Sequence, residues 1–515
     1  MYQMKKTEKK LQIELLNELI ELYENVNKES EEEFKFIEDK IEREEFKESA
    51  KNLLAYLALR RRDIRKIQAE LSTWGLSSLG RSESRTLFTL ESVIKRLSNT
   101  LDTMVGVEQP SVHDSTAGQQ RLLQNTQLFF GEAPKDRNTR IMVTMPTEVK
   151  KDKQLIRSLI QNGMNVARIN TAHDNPATWQ AMIDNIHEVA KEKNKTVKIL
   201  MDIAGPKIRT DWVFTPYKKP KVKTGDKIRM TKNYRSLPSI EDNIKVTVGC
   251  SIPSIFKQLK VNDPVLLDDG AVEMRVMMVN DEEAILKVEK VKGGILRIKA
   301  EKGLNFPQTE FDVNIITEAD KESIHFAVEH ADIIGCSFIR SAQDIQEIQD
   351  ELQNVTNRPL SDIPLTLKIE TIQAMNNLPE IVLKAASQNP ISVMIARGDL
   401  AVESGYVRLA ELQQEILWIC EASDIPVIWG TEVLASMLKE GIPSRAEVTD
   451  AAEGSRAECV MLNKGNYLAE TIQMLHDILV RMEEHQVKKT SRLRSLEIAK
   501  MNVFNNHKAN ETLNK

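Results

Sequence analysis

Apolar residues in the first hundred positions recur three and four apart: Leu15, Leu16, Leu19, Leu22 and Tyr23, then Leu53, Leu54, Leu57 and Ile64. That spacing places them along one side of an α-helix. No glycine precedes Gly75 and no proline precedes Pro110, so nothing breaks long helices there. Of the first 50 residues, 24 are Asp, Glu, Lys or Arg, enough to cover the wet faces with charge pairs. The pattern predicts an all-α region over residues 1–105. Gly75–Arg85 reads as a turn opening a further helix, with Ser82 or Ser84 as its cap. Residues 106–138 mix Gly, Pro, Ser, Asp and Gln without clear periodicity and read mostly as linker.

From residue 139 the pattern changes to short apolar runs alternating with amphipathic stretches. Arg140–Met145, Asn165–Asn170, Val197–Asp202, Ile333–Phe338, Pro364–Ile369, Ile391–Ala396, Pro426–Gly430 and Glu458–Leu462 are the candidate strands. Helical stretches such as Asp152–Asn162, Ala177–Lys191, Glu318–Glu329 and Leu409–Glu421 lie between them. Eight strand-then-helix units in succession suit a closed (β/α)8 TIM barrel. A doubly wound open sheet is the alternative, but it usually opens on a glycine-rich turn, absent here. About 90 residues between the third and fourth strands are rich in Val, Ile and Lys. Turn signals at Thr224-Gly225-Asp226, Asp268-Asp269-Gly270 and Gly293-Gly294 make this a separate, mostly β insertion. At the top of a barrel it can act as a lid. The expected division is a helical region 1–105, a linker 106–138, barrel segments 139–214 and 302–485, a β lid 215–301 and a helical tail 486–515.

Composition narrows the function classes. A net charge of −5 over 515 residues offers no bulk attraction for nucleic acid or an anionic membrane. The basic run Arg60, Arg61, Arg62, Arg65, Lys66 can grip an acidic partner, though a salt-bridged helix face is the simpler reading. Cys250, Cys336, Cys420 and Cys459 are far apart, as expected of buried thiols in a reducing compartment. With no apolar run near the ~20 residues of a membrane span and no secretory signal, cytoplasm is the expected location.

Active sites of α/β barrels lie at the C-terminal ends of the strands. Polar residues gather there in six consecutive units. The ends read Arg168-Ile169-Asn170 with His173 beyond, Asp202 followed by Gly205-Pro206-Lys207-Ile208-Arg209, Ser337-Phe338-Ile339-Arg340, Lys368-Ile369-Glu370, Arg397-Gly398-Asp399 and Gly430-Thr431. One such residue often only caps a helix; six ends in a row point to a site. Glu370 and Asp399, on adjacent strands, can offer two hard oxygen ligands to Mg²⁺ or Mn²⁺. Arg168, Arg209 and Lys368 surround the same cavity with positive charge, which suits a substrate carrying phosphate and carboxylate. Backbone N–H groups at Gly398 can hold an anion.

The segments GMNVARINTAH (163–173), MDIAGPKIRT (201–210), LLDDG (266–270), EKGLNFP (301–307), SFIRSAQD (337–344), LKIET (367–371), MIARGDLAVE (394–403) and PVIWGTEVLASMLKEGIPSRAEVTDAA (426–452) resemble the signatures of pyruvate kinase, in order. The resemblance spans roughly residues 139–482. It implies a barrel with a small inserted β-barrel lid, and transfer of the phosphoryl group of phosphoenolpyruvate to ADP, giving pyruvate and ATP. It further implies that Lys368 stabilises the phosphoryl group in flight and that Arg168 binds it. Glu370 and Asp399 would hold the divalent metal, the Arg397-Gly398-Asp399 segment would receive the substrate carboxylate, and Thr431 would belong to the protonation path. Asn170, His173, Arg209 and Lys302 would lie on the nucleotide side. A homo-oligomer is the expected assembly.

The chain also departs from that family. Of the family's monovalent-cation ligands, Asn170 and Asp202 remain while Ala172 and Ile203 replace two hydroxyl residues, and Lys207 stands where Glu is usual. A lysine ammonium can supply the charge that K⁺ otherwise brings, so independence of K⁺ is expected. The loops at 144–148 and 463–466 differ from the family pattern, both near the nucleotide side. No C-terminal regulatory domain is expected, and the N-terminal helical region is additional. Lyase or aldolase chemistry on a similar barrel, and a weakly active or inactive scaffold or phosphoenolpyruvate sensor, are the alternative readings.

Overall fold

Each of the eight apolar runs becomes a strand within two residues of its expected place: Arg140–Thr144, Val166–Asn170, Lys198–Asp202, Ile333–Cys336, Leu365–Ile369, Ile391–Ala396, Val427–Gly430 and Cys459–Leu462. In the computed structural model, which describes residues 2–233, 243–310, 313–488 and 490–491, they close into one barrel. Each strand lies beside its neighbour in the chain, and the first pairs with the last through Arg140 and Cys459. The pairing is parallel, so every strand delivers its C-terminal residue to the same mouth. Inside, Met142, Val166, Leu200, Met394, Ile428 and Met461 fill the barrel. Outside, Ile156, Ile183, Ile324, Ile345, Ile381 and Ile416 from the helices pack onto the strands' other faces.

The insertion is a seven-stranded sheet with its own core of Val246, Val248, Val265, Met274, Leu286 and others. It begins at Thr210, earlier than expected, because Thr210–Phe214 is already paired to Ile244–Cys250. An antiparallel bridge between Arg209 and Gly303 joins the two edges where the chain leaves and rejoins the barrel. The hydrogen bond from Leu304 N to Ile208 O continues it at 2.9 Å.

The helices Tyr2–Ile37, Lys47–Arg60, Arg65–Thr73 and Thr86–Thr100 share a core of Leu15, Leu19, Leu59, Leu71, Leu90 and Ile94. Their basic run is a salt-bridged face. Arg61 pairs with Glu33 at 2.6 Å, Lys66 with Glu18 at 2.8 Å and Arg62 with Glu29, while Arg60 lies over the ring of Trp418.

Residues 106–138 are more than a linker. Asp114–Phe130 is a 17-residue helix whose last two residues, Phe129 and Phe130, join the barrel's interior cluster and plug its floor. Its remaining surface is rich in Gln, Asn and Thr, so no apolar stripe announced it. Of the expected helical tail, Gln486–Val487 and Thr490–Ser491 form a two-stranded hairpin, and residues 492–515 lie outside the described residues. No helix among the described residues is long and apolar enough to cross a membrane.

One aspartate anchors the N-terminal region to the floor. Asp424 has φ +55° and is fully buried. Its Oδ2 accepts from Ser49 Oγ at 2.7 Å and Arg121 Nε at 2.6 Å, and its carbonyl accepts from Asn125 Nδ2 at 2.7 Å. Burial pushes the Asp424 carboxyl up to about 6, against the pull of Arg121 and Ser49. A carboxyl raised in the folded state binds protons that the unfolded chain releases. Its contribution is therefore present below the unfolded value near 4 and lost as pH rises through about 6. The expected result is that the stability difference between the wild type and Asp424→Asn changes against the wild type by about 2–3 kcal/mol from pH 4 to pH 7. Parallel denaturant titrations of both proteins measure it, and a flat difference would remove Asp424 as the cause.

Candidate active site

At the mouth, the ends of strands one to five build one buried charge network. Arg168 donates from Nε and Nη2 to Asp202 Oδ2 at 2.9 and 2.5 Å, and from Nη1 to Thr144 Oγ1 at 2.8 Å. Lys368 Nζ donates to Ser337 Oγ at 2.7 Å and lies 3.1 Å from Glu370 Oε1 and 3.4 Å from Asp202 Oδ2. Gly335 sits opposite Asp202 in the strand register, and a Cβ there would come within 2.9 Å of Asp202 Oδ1. Only glycine lets the aspartate stand in this place.

The charges decide one another's protonation. For Lys368, burial is the largest influence and favours the neutral amine, but Asp202 and Glu370 outweigh it and hold the pKa above the ordinary lysine value. For Asp202, burial is outweighed by Lys368 and Arg168, and the carboxylate stays ionised. Lys368 is thus a fixed cation rather than a base.

Glu370 has the opposite environment. Burial raises its pKa, Lys368 opposes, and the neighbouring Asp399 and Asp202 raise it again. Its Oε2 accepts from the Phe338 N–H at 2.5 Å, with Phe338 held at φ +58°. Asp399 Oδ1 accepts from Lys207 Nζ at 2.7 Å, and its Oδ2 has no hydrogen bond among the described residues. Two neighbouring carboxylates, with the charge of Asp399 helping to raise the proton affinity of Glu370, are a donor set that a divalent cation relieves. No cluster of three metal-ligating side chains exists among the described residues, so such an ion would keep positions for substrate oxygens and water.

Strands six and seven shape the other rim. Arg397 does not point at the cavity as a free cation. It donates to Gly430 O and Thr431 O, each at 2.7 Å, pairs with Asp450 and lies 4.8 Å from the Trp429 ring centroid. Its work is to hold Thr431, which has φ +55° and accepts from Gly398 N at 2.7 Å through Oγ1. Gly398 and Asp399 open the helix Arg397–Ser404 at its positive end, where Thr431 Oγ1 holds the Gly398 N–H.

A cavity of about 310 Å³ beside this network is lined by Arg168, Asn170, His173, Lys439, Asn463 and Lys464, with Thr144 at its edge. Asn170 and His173 are therefore brought together with Arg168 as expected. Arg209 and Lys302 are not: they sit at the lid's base, where Arg209 Nη1 donates to Glu301 O at 3.1 Å and Lys302 pairs with Asp268 at 2.8 Å. Sequence reasoning did not assign Ser337, Thr144, Asp450, Lys439 or Lys464 to the site. Ser337 carried a signal as the polar residue ending strand four, and Thr144 and Lys464 lie in the two loops read as near the nucleotide side.

Residues 136–472 match the family described as pyruvate kinase, barrel domain. A pyruvate kinase of Hypocrea jecorina is 30% identical over 398 residues, covering 76% of this chain and 70% of the relative. One from Thermococcus litoralis is 33% identical over 357 residues, covering 68% and 70%. A crystal structure of a pyruvate kinase from Cryptosporidium parvum superposes with a TM-score of 0.60 at 26% identity, over 69% of this chain and 72% of that one.

Proposed function

This chain belongs to the pyruvate kinase family, whose reaction carries the phosphoryl group of phosphoenolpyruvate to ADP, and we propose how its own residues perform that transfer. The observation that carries the reading is Lys368, a buried ammonium flanked by Asp202 and Glu370 and aimed into the barrel mouth. An oxygen of the ADP β-phosphate attacks phosphorus, the bond to the enol oxygen breaks, and the electron pair leaves on the enolate. Lys368 and Arg168 neutralise the charge spread over the phosphoryl oxygens, and Asp202 keeps both cations in place. Glu370 and Asp399 would hold Mg²⁺ or Mn²⁺, which supplies further neutralisation of phosphoryl and carboxylate oxygens. The Asp399 N–H receives the substrate carboxylate, joined by the Gly398 N–H once Thr431 Oγ1 gives it up, with Arg397 positioning Thr431 beside them. Thr431 lies on the path by which a proton reaches the enolate carbon, giving pyruvate. Asn170 and His173 form the nucleotide side, and Arg209 and Lys302 reach it from the lid.

Potassium is not required in this reading. Ala172 and Ile203 offer no side-chain oxygen, and Lys207 places an ammonium 2.7 Å from Asp399 Oδ1. The four buried, free cysteines support a reducing cytoplasm, and exposed Tyr406 and Val407 support a homo-oligomer. A coupled assay with phosphoenolpyruvate, ADP and Mg²⁺ tests the whole. Pyruvate should form at rates within about twofold in K⁺ and tetramethylammonium buffers, whereas strong activation by K⁺ would refute the role given to Lys207. Measurable phosphoenolpyruvate binding without turnover on any nucleoside diphosphate would favour a sensor, made plausible by the altered loops at 144–148 and 463–466.

A further inference from the structure

At the opposite end of the barrel, a cavity of about 470 Å³ lies between the N-terminal helices and the floor. Its size is that of a small-metabolite site. Both bodies contribute to it. Arg81 and Arg85 come from the N-terminal region, Arg140 and Arg456 from the starts of the first and last barrel strands, and Lys488 from the hairpin after the last helix.

The charges in this cavity are unevenly matched. Arg85 donates from Nη1 only to the neutral Ser115 O, at 2.8 Å. Arg140 spends its guanidinium on carbonyls as well, reaching Asn138 O at 2.7 Å and Gly131 O at 2.9 Å. Arg81 has no ion pair among the described residues. Arg456 pairs with Glu453 through Nη1, yet its Nε is buried with no hydrogen-bond partner. Three of the cavity's four acids are already engaged: the buried Glu83, Glu458 with Lys488, and Glu483 with the side chain of Asn138. Glu421 lines the cavity without a hydrogen bond among the described residues, and burial pushes its carboxyl above the ordinary range, against Lys488 and Arg456. Among the described residues, three guanidinium groups without carboxylate partners (Arg81, Arg85 and Arg140), one orphaned guanidinium N–H and one unbonded carboxylate remain. A buried donor left unmatched costs about 1–3 kcal/mol.

We propose that this cavity binds a small hydroxylated oxyanion, a carboxylate or a phosphate, held by Arg81, Arg85 and Arg456 while its hydroxyl donates to Glu421. Such a ligand bridges the N-terminal region and the barrel floor, far from the catalytic mouth. The site does not depend on the reaction assigned to that mouth.

Calorimetric titration of the full chain with citrate and with glycerol 3-phosphate separates the carboxylate source from the phosphate source. At least one probe should bind with 1:1 stoichiometry. Its Kd should rise about tenfold or more in Arg81→Ala and in Glu421→Gln, and stay within twofold in Lys368→Met. Arg81 is exposed, so its replacement leaves the fold standing, which circular dichroism checks. Binding of neither probe, binding unchanged in Arg81→Ala, or binding lost in Lys368→Met would each overturn the proposal.

Discussion

Replacement of Lys368 by methionine is expected to lower kcat by about 10²-fold or more with the fold intact. Methionine preserves length and apolar volume while removing the one ammonium that touches Asp202, Glu370 and Ser337 together. Neither carboxylate is stranded by the change. Asp202 keeps both contacts from Arg168, and Glu370 keeps the Phe338 N–H. The loss therefore falls on the developing charge of the transferred group, which forms only in the transition state. Turnover should fall far more than phosphoenolpyruvate affinity, since Arg168 still binds the ground state. Steady-state kinetics at saturating ADP separate the two. Unchanged turnover would contradict the role.

The second large effect is expected from Glu370→Gln, which should raise the Mg²⁺ concentration for half-maximal activity by about 10²- to 10³-fold. The amide oxygen can still accept from Phe338 N–H, so the local backbone, with its positive φ, keeps its support. What disappears is one of two anionic ligands. A unit charge a few ångströms from a divalent ion, in a site of effective dielectric near 20, is worth several kcal/mol. Mn²⁺ titration followed by electron paramagnetic resonance reads the affinity without turnover. An unaltered Mn²⁺ affinity would mean that Glu370 holds no metal.

Much of this site was legible in the sequence because a closed parallel barrel turns order along the chain into position in space. Arg168, Asp202, Lys368, Glu370 and Asp399 each end or follow an apolar run, so locating the run located the residue. For Arg397 the run located the residue but not its partners: its guanidinium is taken by Asp450, Gly430 O and Thr431 O. Asp450 lies 53 residues away, and nothing in the spacing links the two. Arg209 and Lys302 lie in segments that resemble the family's motifs, and the structure puts them at the lid's base, where the bridge between Arg209 and Gly303 joins lid to barrel.

The sequence by itself determined the eight strands, their helices, the separate β insertion and the kinds of chemistry at the mouth. Those features rest on local periodicity and on the rule that parallel strands align their ends. Tertiary structure alone decided which charges meet. It gave Asp202 to Arg168 and Lys368, set Asp399 close enough to raise the proton affinity of Glu370, and turned the Arg60–Lys66 run into a paired face. It also drove Phe129 and Phe130 into the barrel floor and fastened the N-terminal helices to Asp424. The physical reason is common to all of these. Hydrophobic spacing acts over a few residues, whereas ion pairs, pKa shifts and plugs depend on distances between residues tens to hundreds of positions apart, which exist only once the chain has folded.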